Sequence, residues 1–108
     1  MSDGITEARS YRREMNSITP GSVYKHFKGG MYAVIAVTWD TNDVHSREAR
    51  KVSYISLEDG RVYSRDLKEF VTPKIHEESG MEEQRFMRIG FANISIDTQG
   101  IYRVTLEL

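Results

Sequence analysis

The stretch GSVYKHFKGGMYAVIAVTW, residues 21–39, decides how this chain folds. Val23, Lys25 and Phe27 alternate with Tyr24 and His26, Lys28-Gly29-Gly30 turns the chain, and residues 31–39 run apolar and β-branched. Two consecutive glycines supply the positive φ angles that a tight hairpin turn needs. The second strand carries Met31, Ala33, Ile35 and Val37 on one side, with Tyr32 and Val34 on the other. A strand apolar on both faces is central, or belongs to a small sheet curled onto itself.

Upstream, Thr19-Pro20-Gly21 marks a turn, because Pro presets φ and Gly accepts the left-handed position. Residues 1–19 are polar and arginine-rich. Ile5, Ala8, Tyr11 and Met15 recur there at helical spacing, so a short helix capped by Ser2 or Asp3 is expected, either docked on the rest of the chain or formed with a partner. Downstream, residues 40–50 form a polar loop with almost nothing to bury, expected to be mobile. Residues 51–57 return to strand composition, with Val52 and Tyr54 on one face and Ile55 and Leu57 on the other. Asp59-Gly60 is a hairpin signal leading to a strand that begins at Arg61. Leu67 and Phe70 then suit one helical turn closing the end of a barrel.

Residues 74–83 are acidic and unpatterned, the composition of a surface loop. Beyond them, Met87, Ile89 and Phe91 share a parity, as do Ile94 and Ile96, and Tyr102, Val104, Leu106 and Leu108 alternate after Thr98-Gln99-Gly100. These patterns predict a C-terminal hairpin with one apolar face. The expected organisation is a polar segment 1–19, a curled core 20–73, and an acidic loop with a packed hairpin over 74–108.

The 108 residues suffice for one modest core. Lys and Arg number 15 against 16 Asp and Glu, a net charge of -1, which argues against a dedicated electrostatic binder of nucleic acid. With no cysteine there is no disulfide frame, thiolate nucleophile or cysteine zinc site. No apolar run approaches a membrane span, and residues 2–14 lack a secretion signal's apolar segment, so a cytoplasmic protein is expected.

Tyr24, His26, Phe27, Lys28, Gly29, Tyr32 and Val34 spell Y-x-H-F-K-G-x-x-Y-x-V; Tyr54 and Leu57 spell Y-x-x-L; Arg65, Leu67 and Phe70 follow as R-x-L-x-x-F. In these motifs the chain resembles a widespread bacterial family of small domains of unknown function, over residues 21–72. Asp66 stands where that family usually has Pro, which leaves the closing turn less rigid. The resemblance implies a mainly β, small SH3-like barrel, and no catalytic residues. A family-like core with unmatched additions also suits a phage-encoded copy.

Tyr24 and His26 share a hairpin face that Arg65 approaches from the closing segment, a polar-aromatic patch or simply a packed Tyr and a satisfied His. Lys28 and Tyr63 complete the candidate binding set. His26, His45 and His76 lie too far apart for a metal site. Asp40, Asp43 and His45 sit in a loop too loose for acid–base work. No cofactor motif is present. A protein-binding adaptor is the expected function, contacting a partner through strand edges or an aromatic groove. The alternatives are a small polar ligand, or RNA or single-stranded nucleic acid held by Tyr11, Arg12, Arg13, residues 47–51, Tyr63 and Arg65.

Overall fold

The computed structural model describes residues 18–40 and 50–107. The expected N-terminal helix, the mobile loop, and Tyr11, Arg12, Arg13, Asp43 and His45 lie outside them, in whole or in large part.

Eight strands and one short helix follow in order: β1 Ser22–His26, β2 Met31–Trp39, β3 Arg50–Ser56, β4 Val62–Asp66, α1 Leu67–Val71, β5 Lys74–Ile75, β6 Glu82–Glu83, β7 Phe86–Ile96 and β8 Tyr102–Glu107. Six strands form one antiparallel sheet in the order β4-β3-β2-β1-β7-β8. The opening hairpin pairs Tyr24 with Tyr32 and Lys25 with Met31, and Gly29 and Gly30 take φ of 97° and 84° at its turn. The acidic segment expected as a loop forms a small hairpin instead, β5 with β6, joined across by His76 Nε2 and Glu83 Oε2 at 2.8 Å.

The sheet does not close into a barrel. Among the described residues β4 and β8 each pair with one neighbour. The outer edge of β1 is taken by β7 rather than returning to β4, so closure within residues 20–73 has no free edge to use. The C-terminal hairpin thereby enters the sheet as two further strands. The sheet is nonetheless strongly curled. A flat sheet would hold β3 and β8 about 19 Å apart at the usual strand spacing. Yet Ile55 of β3 packs in one cluster with Val23, Ala33 and Ala92, joined by Tyr102 and Val104 of β8.

The opposite face carries the larger core. Tyr24, Val34, Val52, Tyr54 and Phe86 lie under Leu67 and Phe70 of α1. Leu67 is fully buried and Phe70 nearly so. Burying each such side chain stabilises the fold by about 1.5–3 kcal/mol, far more than a five-residue helix could supply alone.

Two bulges divide residues between the faces. Tyr54 pairs with Val34 and Ser53 with Ala36, which leaves Ile35 unpaired and turns Val37 to the face of Tyr32 and Val34. Likewise Val23 pairs with Gly90 and Tyr24 with Arg88, so Ile89 is the extra residue. The second bulge sends Phe86 to the α1 face and Ala92 and Ile94 to the other. Met87, Ile89 and Phe91, expected to face inward together, are exposed instead.

Asp66 has φ of -57°, within the range a proline would impose, so the backbone keeps a proline-like turn without the ring. Its carboxylate caps no helix N–H and accepts a hydrogen bond from Lys51 Nζ at 3.1 Å, linking β3 to β4 across their register.

Gly21 shows how tightly β1 and β7 meet. It has φ of 91°, its carbonyl accepts from Ala92 N–H at 2.7 Å, and a Cβ there would lie 2.9 Å from Ala92 O. Gly21→Ala is expected to lower stability by about 1 kcal/mol or more, read as an earlier urea midpoint at unchanged slope.

Candidate functional site

The site is built around Phe86, the first residue of β7. Its ring stacks on Phe70 at 4.0 Å with an interplanar angle of 8°. Tyr54, Tyr32 and His26 meet it edge-on, His26 at 4.9 Å. The Arg65 guanidinium lies 5.7 Å from its centroid, a cation–π distance. On the α1 side opens a cleft of about 320 Å³ whose walls include Tyr24, Phe70, Val71, Arg85, Met87 and Arg88.

Each of the five candidate binding residues, Tyr24, His26, Lys28, Tyr63 and Arg65, lies among the described residues. Tyr24 is buried at 7% exposure and meets Phe70 edge-to-face at 5.1 Å. Burial pushes its phenol pKa up, against the opposing charge of Arg88 and a hydrogen bond with Ser22. Tyr24 is therefore a core residue showing only its edge to the cleft. His26 is half-buried, and its Nδ1 accepts from the Lys28 N–H at 3.1 Å, which leaves Nε2 to carry the proton of the neutral ring. Lys28 is exposed, with Nζ 5.7 Å from the Phe27 ring. Tyr63 stacks on Tyr54 at 5.8 Å and keeps 39% of its surface exposed. Through Tyr54 it joins the Phe86 cluster, which also takes in His26 and Arg65 directly and Tyr24 through Phe70, whereas Lys28 meets the neighbouring Phe27 ring.

The sequence reading missed Phe86, Arg85, Arg88 and Tyr32. The signal available was R-F-M-R at residues 85–88, an aromatic flanked by two arginines. Its parity was read from the strand alone, and the bulge at Ile89 reverses that parity.

The electrostatics are one-sided. His26 has its pKa lowered from 6.5, first by burial and then by the positive charges of Arg65, Arg85 and Lys28. Among the described residues, none of Arg65, Arg85 and Arg88 is paired with a carboxylate. Arg85 Nε is buried with no acceptor among those residues. A chain of net charge -1 thus concentrates unpaired cations on one aromatic face.

These charges make a pH prediction. The folded state holds the His26 proton less tightly than the unfolded chain, so stability is present above pH 6.5 and declines as pH falls from there through the lowered folded value. An NMR titration of the His26 ring should give a midpoint below 6.5, and Arg65→Gln should move it upward. An unchanged midpoint in that variant would remove Arg65 from the field at His26.

Among the described residues, no three His, Asp or Glu side chains converge on a point, and no helix is long and apolar enough to cross a membrane. What the face offers is aromatic surface, a cleft and hydrogen-bond donors.

Fold and site define a mainly β domain whose curled antiparallel sheet carries a cationic aromatic face. The chain belongs to the family described as "Protein of unknown function (DUF1653)", which it matches over residues 22–88. The match runs past α1 to Arg88, beyond the expected limit at residue 72, and so includes Phe86. No similar curated protein and no similar solved structure was found.

Proposed function

We propose that the chain is a non-enzymatic binding module, SH3-like in its small curled sheet though open, that holds an acidic segment of a partner protein. The observation that carries this is an aromatic cleft lined by Arg85 and Arg88, with Arg65 over the Phe86 ring and His26 against it, none of the three arginines meeting a carboxylate among the described residues. Unpaired guanidinium groups recognise carboxylates with planar, two-pronged geometry. The cleft, walled by Phe70, Val71 and Met87, offers room for an apolar or aromatic side chain next to that charge. A role as adaptor or modulator follows from a surface that binds without chemistry, and a bacterial or phage origin and a cytoplasmic location belong to the same proposal. The absence of cysteine accords with a reducing compartment.

Nucleic acid is the weaker fit. Base stacking needs several open aromatic faces in a row, whereas Tyr24, Tyr54 and Phe86 are all under 9% exposed, which leaves Tyr63 and the Phe91 ring beneath Arg88 as the open rings near the cleft. A small polar anion would use the arginines but leave the apolar walls of the cleft unfilled.

The test is an NMR titration of the full chain with an Asp/Glu-rich peptide carrying one Phe, and separately with an oligouridylate. The peptide is expected to move resonances of His26, Arg65 and residues 84–88. Arg65→Gln and Arg88→Gln should each weaken it by about tenfold or more, as loss of a charge partner does, while the melting transition shifts by less than the equivalent of about 0.5 kcal/mol. Shifts with the oligouridylate and none with the peptide would replace this reading by the nucleic-acid one.

A further inference from the structure

The exposed edge strand β8 is self-complementary. Among the described residues it ends the sheet, and its sequence Tyr102–Glu107 carries neither proline nor bulge to blunt pairing. The regular register with β7 places Arg103, Thr105 and Glu107 on one face, opposite Ser95, Asn93 and Phe91. Val104 and Leu106 lie on the other face, opposite Ile94 and Ala92.

The hairpin turn sets which backbone groups are free. Asp97 N–H donates to Ile101 O at 3.0 Å, and hydrogen-bonded positions alternate along an antiparallel ladder. Arg103, Thr105 and Glu107 therefore bond toward β7. Tyr102, Val104 and Leu106 turn their N–H and C=O groups outward, to the open side.

We propose that β8 pairs antiparallel with β8 of a second copy of this chain, about a two-fold axis at Thr105. A two-fold contact must match residue i to j and j to i. In this register Val104 meets Leu106 of the second copy and Leu106 meets its Val104, so the outward backbone groups of both residues are satisfied reciprocally. On the apolar face these become branched aliphatic pairs, beside the cleft of about 270 Å³ that Tyr102, Val104 and Leu106 already line. On the polar face Thr105 meets Thr105, and Arg103 meets Glu107 twice by symmetry. Opposite charges and Thr–Thr pairs are favourable cross-strand neighbours. A shift by one residue on one strand would set the apolar side chains against the polar face. A two-residue shift would break the charge match. On the polar face the present contacts do not stand in the way: Arg103 approaches Asp97 only at 3.8 Å and is 74% exposed, and Glu107 accepts from Asn93 Nδ2 on the exposed surface; on the apolar face the cleft has Ile55, Leu57 and Gly60 as its far wall.

The contact is small, so association is sought by sedimentation equilibrium of the full chain at about 0.1–1 mM. The average mass is expected to rise with concentration toward that of two chains. Arg103→Glu alone and Glu107→Arg alone should each sediment as monomers, since each sets like charges opposite one another. An equimolar mixture of the two should associate again, because each supplies the charge the other lacks. Leu106→Pro removes an outward N–H that makes no bond among the described residues, so it should abolish association while leaving the circular dichroism spectrum in place. A chain monomeric throughout the range overturns the proposal. So does a dimer that these substitutions leave unchanged, for its interface would lie elsewhere.

Discussion

Replacing Phe86 by alanine should destabilise the protein by about 3–5 kcal/mol, the largest effect expected of any single substitution at the site. The ring is 8% exposed and meets four others: it stacks on Phe70 and meets Tyr54, Tyr32 and His26 edge-on, with Phe70 in turn against Tyr24. Alanine leaves a cavity that α1 can close only by leaving Val52 and Val34. It also strips the support beneath His26 and Arg65. Urea denaturation followed by circular dichroism measures the loss directly. A midpoint shift worth under about 1 kcal/mol would mean the cluster repacks around the gap, and Phe86 would not be the centre of the site. Phe86→Leu should recover most of the stability, because it restores much of the volume while losing the stacked geometry.

Removing residues 84–108 should abolish cooperative folding altogether. That segment supplies Phe86 to one core and Ala92, Ile94, Tyr102 and Val104 to the other. It also satisfies the outer edge of β1, including the bond from Ala92 N–H to Gly21 O. Without it Val23, fully buried in the intact chain, faces water along with the unpaired edge of β1. The remaining four-stranded sheet would keep a helix over one face and nothing over the other. A dispersed NMR spectrum for residues 20–73 in the truncated chain would show that this part folds alone and that the C-terminal hairpin is an accessory. Retention of residues up to 88 separates the two contributions. Such a chain keeps Phe86 and the α1-face core but loses Ala92 and β8, so only a partial recovery is expected.

Much of the architecture was legible in the residues. Gly29-Gly30 placed the first turn, the apolar run of residues 31–39 matched β2 in both bounds, Asp59-Gly60 placed the β3–β4 connection, and Leu67 and Phe70 marked the helical turn. These signals are local: a turn needs particular φ angles at particular positions, and strand and helix periods are written along the chain. Of the candidate site, Tyr24, His26, Lys28, Tyr63 and Arg65 were recognisable as aromatic and cationic groups near one hairpin. That Tyr24 packs was one of the two readings its position allowed; that His26 lies in the field of Arg65, Arg85 and Lys28 was not legible, since charge proximity depends on which strands become neighbours.

The sequence by itself therefore determined the mainly β class, the positions of most strands and part of the aromatic face, but neither β5 and β6 nor the place of Phe86. Tertiary structure decided the rest: that the sheet stays open, that β1 pairs with β7, and that Ile35 and Ile89 are bulged. A bulge costs one residue of register and reverses every side chain beyond it, yet it is imposed by the partner strand and leaves no mark in the bulged strand's own alternation. Phe86 is the consequence. Read along its strand it shares a parity with Ala92 and Ile94, and only the extra residue at Ile89 turns it to the opposite face, under Arg65 and against Phe70.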